Sequence, residues 1–291
     1  MLQTYNKKLG ILMILISALS FSLMNVFARM AGDIPVMQKT FFRNIVAILF
    51  ICTYFGFKRK KVKIRSGCIK FHILRSLFGT LSVIGNFYAV DHMLLSDATM
   101  LLELSPFFII IFSAIILKEK AAIQQYALIA LALFGAGLVL KPSAGVYLDQ
   151  ASFVAIAGAI FAGIAYTMVR LLSIRGEDNM IIIFVFSVFS SLFCVPFLFV
   201  DNVSLSYKQV ILLLGAAVCG CCGQFSVTAA YRYAPAAEIS IFDYTQIIFA
   251  ACFGWIFFQQ VADEKSYIGY MLILLAAALM YLVNKKQIKT G

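Results

Sequence analysis

Four ionisable side chains lie inside long apolar stretches of the sequence, namely Arg43, Arg75, Glu103 and Asp243. An ionisable group at the centre of a lipid bilayer costs about 2.5–3.5 kcal/mol on insertion scales, so such residues usually face a cavity or a partner. Mixed charges in one cavity would suit a zwitterion such as an amino acid or a derivative. Glu103 and Asp243 are also the titratable groups that could carry a proton.

The depths of these four residues permit two ion pairs. Glu103 and Arg43 each lie ~12 Å from the outer end of their apolar stretch, at 1.5 Å per residue. Asp243 and Arg75 lie nearer the opposite face. We therefore expect pairs of Arg43 with Glu103 and of Arg75 with Asp243. Such pairs could equally hold helices in register without touching a substrate, and Arg75 could instead extend to the lipid head groups.

Uncharged polar side chains add hydrogen-bond donors and acceptors at similar depth. They are Asn25, Asn86, Tyr88, Tyr166, Gln224, Tyr244 and Gln246. Hydrogen bonds between helices are the simpler role for any one of them. Pro106 follows Glu103 by three residues and removes a backbone hydrogen bond, which frees the carbonyl of Leu102. We expect either an opening beside the Glu103 carboxylate or a packing kink.

The elements that hold these residues are membrane spans. The chain of 291 residues is 63% hydrophobic and 13% charged, with a mean hydropathy of +0.95, which excludes an ordinary soluble domain. Apolar runs of about 20 residues, the length that crosses a bilayer, recur throughout. They predict ten transmembrane helices at about 9–30, 35–57, 71–90, 95–117, 123–140, 150–172, 179–200, 208–231, 236–259 and 266–284.

Basic residues predict the orientation. The net charge of +11 depends heavily on a cluster between spans two and three, at positions 58–70. Such clusters set topology and contact anionic lipids, so we exclude nucleic acid as a partner. Lysine and arginine concentrate in the segments that are cytoplasmic when both termini are inside. We expect a multi-pass protein of a bacterial inner membrane with both termini cytoplasmic.

The two halves of the chain resemble each other at an offset of about 140 residues. Glu103 in span four aligns with Asp243 in span nine, and the Gly-Asn-Phe triplet at 85–87 aligns with Gly-Gln-Phe at 223–225. The spans therefore predict two five-helix repeats, 1–145 and 146–291. Because five is odd, the second repeat must be inverted relative to the first, a recurring design in transporters.

The sequence also resembles a known family over essentially its whole length. The segments FFRNIVAILF, FHILRSLFGTLSVIGNFYAV, KEKAAIQQYALIALALFGAGLVLKPS and YRYAPAAEISIFDYTQIIFAACFGWIFF are similar to the EamA family of the drug/metabolite transporter superfamily. The resemblance implies an all-α fold of ten helices, with two inverted repeats around a central cavity. It implies export of amino acids, aromatic metabolites or drugs, and in a minority of members uptake of compounds such as S-adenosylmethionine or riboflavin. Glu103 and Arg75 depart from the pattern of many relatives.

The sequence thus predicts a secondary transporter that exports a small amphipathic metabolite by alternating access. Uptake or exchange of a cofactor-like metabolite is the alternative. No phosphate-binding loop of the Gly-rich Lys-Ser/Thr type is present, so ATP is not the expected energy source. His72 and His92 fall at opposite membrane faces, and we predict no metal site, no cofactor and no enzymatic activity. Proton coupling, and a monomeric or homodimeric state, remain open at this point.

Overall fold

The computed structural model describes residues 6–58, 64–65, 67–118, 123–139, 150–200, 204–233 and 240–290, and its regular elements there are all helical. Eleven α-helices are present in these segments: α1 (Lys7–Met30), α2 (Val36–Lys58), α3 (Ile69–His92), α4 (Leu95–Leu102), α5 (Ser105–Ile116), α6 (Ile123–Val139), α7 (Gln150–Ile174), α8 (Asn179–Val200), α9 (Tyr207–Tyr233), α10 (Thr245–Phe258) and α11 (Glu264–Thr290). A 3₁₀-helix (Ser240–Tyr244) precedes α10.

The prediction of ten membrane spans is confirmed. Eight helices are long and apolar enough to cross a membrane, if α4 and α5 are taken together as Leu95–Ile116. Two shorter apolar helices, Ile123–Val139 and Phe242–Phe258, account for spans five and nine. Most helix boundaries fall within a few residues of those expected, because apolar length sets where a helix can lie in lipid. The last helix continues to Thr290, beyond the expected end at residue 284. The expected boundary between the repeats, near residue 145, lies outside the described residues.

Spans four and nine are interrupted at matching points. Helix α4 ends at Leu102, and Glu103 and Leu104 form a turn before α5 begins at Ser105. Pro106 lies in the first turn of α5, where its missing N–H leaves no hydrogen bond unmade. In span nine the 3₁₀-helix that carries Asp243 leads directly into α10. Each break thus carries one of the two acidic residues that the repeat aligns.

Helix packing repeats between the two halves. Helix α1 of the first half packs on α9 of the second, and α7 of the second half packs on α3 of the first. The contact of α5 with α7 likewise has a counterpart in the other half, the contact of α10 with α1. Helices α2 and α8 are counterparts and pack on each other, as are α6 and α11. The contacts therefore follow a two-fold relation between five-helix units.

Glycines allow the closest of these contacts. At Gly85 on α3, a Cβ atom would lie 3.1 Å from the carbonyl oxygen of Val154 on α7. Its counterpart Gly223 on α9 meets the ring of Phe21 on α1 at 2.9 Å. At the crossing of α6 and α11, Gly135 and Gly269 each face the carbonyl oxygen of the other. Small residues at helix crossings are the usual means of close packing in membranes.

Candidate functional site

Tyr166 on α7 interacts electrostatically with all four charged residues. Its hydroxyl lies within electrostatic range of Arg43, Arg75, Glu103 and Asp243, which come from both halves of the chain. The Tyr166 side chain is 38% exposed, although the four groups around it come from the interior of the helix bundle. We therefore assign the candidate site to the space around this phenol.

Glu103 and Asp243 form the acidic part of the site. The two helix breaks bring them together, and the two carboxyl groups interact electrostatically. Broken helices of this kind mark substrate or ion sites in transporters.

Arg75 forms one side of the basic part. It is 5% exposed on α3, and its Cζ atom lies 4.2 Å above the ring of Phe186 on α8. The guanidinium group packs directly over Gly79, where a side chain of any kind would overlap Nη1 of Arg75. Arg75 therefore points along α3 into the bundle and does not extend to the lipid head groups.

Arg43 forms the other side of the basic part. It is half-buried on α2, and it lies along Gly220 of α9, where a Cβ atom would be 3.4 Å from Arg43 Nε. Arg43 lines a small cavity of about 20 Å³ together with Phe186 and Gln224. A cavity of this size has room for about one water molecule. This cavity beside Arg43 is therefore too small for a metabolite.

The two predicted ion pairs are not formed. None of Arg43, Arg75, Glu103 and Asp243 takes part in an ion pair within 4.0 Å among the residues that the structure describes. Arg43 interacts electrostatically with Tyr166 and Arg75, whereas Glu103 interacts with Asp243. The prediction was wrong because depth along a helix does not determine which way a side chain points around it. The groups are separated by charge, not paired.

The other predicted polar residues divide between the site and the helix contacts. Asn86 donates to Asn25 Oδ1 at 3.1 Å, which joins α3 to α1. The backbone carbonyl of Gln246 accepts a hydrogen bond from the Ser22 hydroxyl at 3.1 Å. Tyr244 is buried in an apolar cluster that includes Leu104 and Ile247. Tyr88 stacks on His92 at the end of α3, with ring centroids 4.2 Å apart, so it lies away from Tyr166. Asn25 and Asn86 therefore take the helix-pairing role.

Three buried polar contacts were missed by the sequence analysis. Lys39 Nζ lies 2.6 Å from Asp91 Oδ1 and joins α2 to α3. The hydroxyl of Tyr270 on α11 donates to Asp97 on α4. His72 lies 3.3 Å from Glu177, between α3 and the segment before α8.

All three pairs lie near the ends of spans. Charged residues are common there, so the sequence does not indicate that these are buried. The one available signal was that Asp91 and Asp97 flank the short connection of spans three and four. Arg29, expected at a helix end, bonds there to the carbonyl of Val90 at 3.0 Å.

Comparison with known proteins decides the family. The model of the EamA-like transporter family matches residues 8–141 and again 150–282. This chain belongs to that family. Of similar proteins, the pseudopaline exporter CntI of Pseudomonas aeruginosa is 30% identical over 92% of this chain and 94% of its own length. The riboflavin transporter of Vibrio cholerae is 24% identical over 92% and 91%, and human solute carrier family 35 member G1 is 26% identical over 87% and 73%.

A solved crystal structure of another protein shares the fold. It superposes with a TM-score of 0.67 at 14% sequence identity, over 97% of this EamA-family chain and 99% of its own. The family match, the relatives and the ten apolar helices together make this chain a multi-pass membrane transporter.

Proposed function

We propose that this chain is a secondary carrier that exports a small amphipathic metabolite bearing both positive and negative charge, such as an amino acid or a derivative. The observation that supports it most is the separation of charge around Tyr166. The two guanidinium groups interact electrostatically with each other, the two carboxyl groups do the same, and all four interact with Tyr166. A zwitterion placed between them would have each of its charges compensated, which is the condition for burying a charge at mid-membrane.

The repeat supports a mechanism of alternating access. Each half contributes one broken helix and one carboxyl group, so rocking one half against the other would open the site to either face.

Export is the proposed direction, and the exporter relative at 30% identity supports it. Uptake or exchange of a cofactor-like metabolite remains the second candidate because one relative is a riboflavin transporter. The number of charged groups in the site argues against riboflavin as the cargo. A neutral flavin would leave four ionisable groups without a partner, and unpaired buried charges oppose binding. We therefore place the zwitterion first.

A proton gradient is the proposed energy source, with Glu103 and Asp243 as the proton site. The proposed setting is a bacterial inner membrane with both termini cytoplasmic, in a monomer or homodimer. Everted membrane vesicles that contain the chain should accumulate labelled zwitterionic metabolites when their interior is acidified. Metabolite profiling of cells with and without the gene would select the candidates.

The variants Glu103→Gln and Asp243→Asn test the coupling. We expect at least one of them to abolish accumulation against a gradient, while exchange of internal for external metabolite continues. Exchange needs no net proton movement, so its survival shows that the variant is folded. If both variants accumulate the metabolite like the unmodified chain, the carboxyl groups have structural roles only and the proton site is elsewhere.

A further inference from the structure

The basic part of the site contains hydrogen-bond donors without acceptors. Nη1 of Arg43 and Nε of Arg75 are both buried, and neither has a hydrogen-bond partner among the residues that the structure describes. Buried polar atoms are nearly always satisfied in folded proteins, and an exception calls for an explanation. Two such exceptions on neighbouring guanidinium groups suggest that both atoms have a partner that enters from outside the chain.

Charge supports the same conclusion. Arg43 and Arg75 are close enough to repel each other, and no described carboxylate lies within ion-pairing distance of either residue. The other buried basic residues behave differently, since Lys39 has Asp91 as its partner and Arg29 has two carbonyl groups. Each of the two guanidinium groups therefore carries a positive charge that no described carboxylate pairs with.

The two guanidinium groups have different surroundings. Arg75 stacks on the ring of Phe186, while Arg43 borders the small cavity beside the same residue. Gly79 and Gly220, on different helices, provide the space in which the two side chains lie. An arginine binds a carboxylate most strongly in a bidentate pair that uses both carboxylate oxygens. Two separate guanidinium groups therefore match two separate carboxylates better than one.

We propose that Arg43 and Arg75 each bind one carboxylate of the same cargo, which makes the transported class amino dicarboxylates instead of simple amino acids. This inference rests on the proposed function and narrows it. The ammonium group of the cargo lies towards Glu103 and Asp243, and Tyr166 lies between the two ends. An amino acid with a phosphate in place of the second carboxylate, such as O-phosphoserine, also has two separate anionic groups, but it would bring about three negative charges to two guanidinium groups.

The test compares probes that differ by one charge. The full chain, purified and reconstituted in proteoliposomes, is assayed for exchange with aspartate, glutamate and 2-aminoadipate, with asparagine and glutamine as the matched monoamides, and with O-phosphoserine. We expect dicarboxylates to reach half-maximal exchange at concentrations at least about tenfold lower than those of the monoamides, the ratio that corresponds to losing one charge-assisted contact.

Variants then locate the preference. In Arg75→Gln and in Arg43→Gln, the ratio between dicarboxylate and monoamide should fall close to one, while the monoamides are still exchanged. Arg175→Gln removes the same charge from an exposed residue beyond the end of α7 and should leave the ratio unchanged. If one arginine variant fails to fold, the other decides, and Arg75→Lys, which keeps the charge but loses the bidentate contact, should weaken the preference in part.

Three results would overturn the inference. The first is equal exchange of dicarboxylates and monoamides by the unmodified chain, which leaves the zwitterion carrier standing. The second is a preference for O-phosphoserine over every dicarboxylate. The third is a dicarboxylate preference that persists in both glutamine variants. Exchange of none of these probes would instead count against an amino-acid-like cargo, and the proposed function would fail together with the inference.

Discussion

At the scale of single residues, the site depends on two glycines as well as on its charged side chains. Gly79 gives Arg75 its place, and Gly220 does the same for Arg43. Neither glycine adopts a positive φ angle, so backbone freedom does not explain them. Their role is to leave room for two long basic side chains inside a helix bundle.

Gly79→Ala should therefore impair transport while leaving the fold intact. The new methyl group would overlap Nη1 of Arg75, and the flexible end of that side chain can move aside at little cost. We expect transport to fall by about tenfold or more, since even a displacement of about 1 Å in a binding group can cost a hundredfold. Folded yield after membrane extraction should stay close to that of the unmodified chain.

Gly137→Ala provides the matched control. A Cβ atom at Gly137 meets nothing within 4 Å, and alanine is favoured over glycine in a helix by about 1 kcal/mol. Transport by this variant should equal that of the unmodified chain. If Gly79→Ala also transports normally, the position of the Arg75 guanidinium is not important for the cargo.

The ion pair of Lys39 and Asp91 makes a second prediction for single residues. Lys39→Met should lower folded yield because it leaves a half-buried carboxylate without its partner, a loss of about 1–3 kcal/mol for a buried group. Asp91→Asn should do the same for the more deeply buried Lys39. The double variant should recover part of the loss, since residues in contact are not additive. Additive losses in a thermal unfolding series would show that the two residues act independently.

The sequence could identify the four ionisable residues of the site but not their grouping. Burial of each ionisable side chain in lipid costs free energy. A charged residue inside an apolar stretch can therefore be recognised from the sequence alone. Whether Arg43 faces Glu103 or Arg75 depends on the rotation and tilt of helices, which packing contacts such as those of Gly79 decide. The buried pairs at helix ends were missed for the opposite reason. A charged residue at a helix end usually lies near water, so nothing in the sequence indicates that it is buried.

At the scale of helices, close crossings limit what can be changed. A Cβ atom at Gly269 would lie 2.6 Å from the carbonyl oxygen of Gly135. Backbone atoms cannot move aside as a side chain can, so Gly269→Ala should separate α11 from α6. We expect a loss of about 1–3 kcal/mol, typical of overpacking, seen as a lower unfolding temperature in detergent. Gly137→Ala on α6 is again the control, and equal unfolding temperatures would refute the close crossing.

Hydropathy predicted the helices well and their interruptions only partly. Apolar length determines where a span lies, so ten spans could be read from the sequence. Pro106 indicated a break in span four, yet span nine is interrupted at Ser240–Tyr244 without any proline. There the alignment of Asp243 with Glu103 was the available signal. The 3₁₀ geometry itself arises from tertiary contacts that no local pattern records.

At the scale of the whole molecule, orientation remains a prediction. Reporter fusions at Gly145 and at the C-terminus should report the outer and the cytoplasmic compartment respectively. An odd number of spans, five, separates the two points, so they must differ if the repeats are inverted. The same compartment at both points would require an even number of spans between them and would contradict the inverted repeat.

The exchange of equivalent contacts between the halves also bears on the energy of the transport cycle. Helix α1 packs on α9 in the same way as α7 packs on α3. A conformation that opens to the other side of the membrane can therefore use the same interfaces, with the two halves interchanged. The two forms should then differ little in free energy, and the bias between them should come from groups that lack a counterpart, such as Lys39 and Asp91. Since about 5.5 kcal/mol suffices to turn a 1:99 population into 99:1, a nearly balanced pair of states needs far less. A modest ion gradient could then drive the cycle in one direction, and reversing the gradient would reverse it.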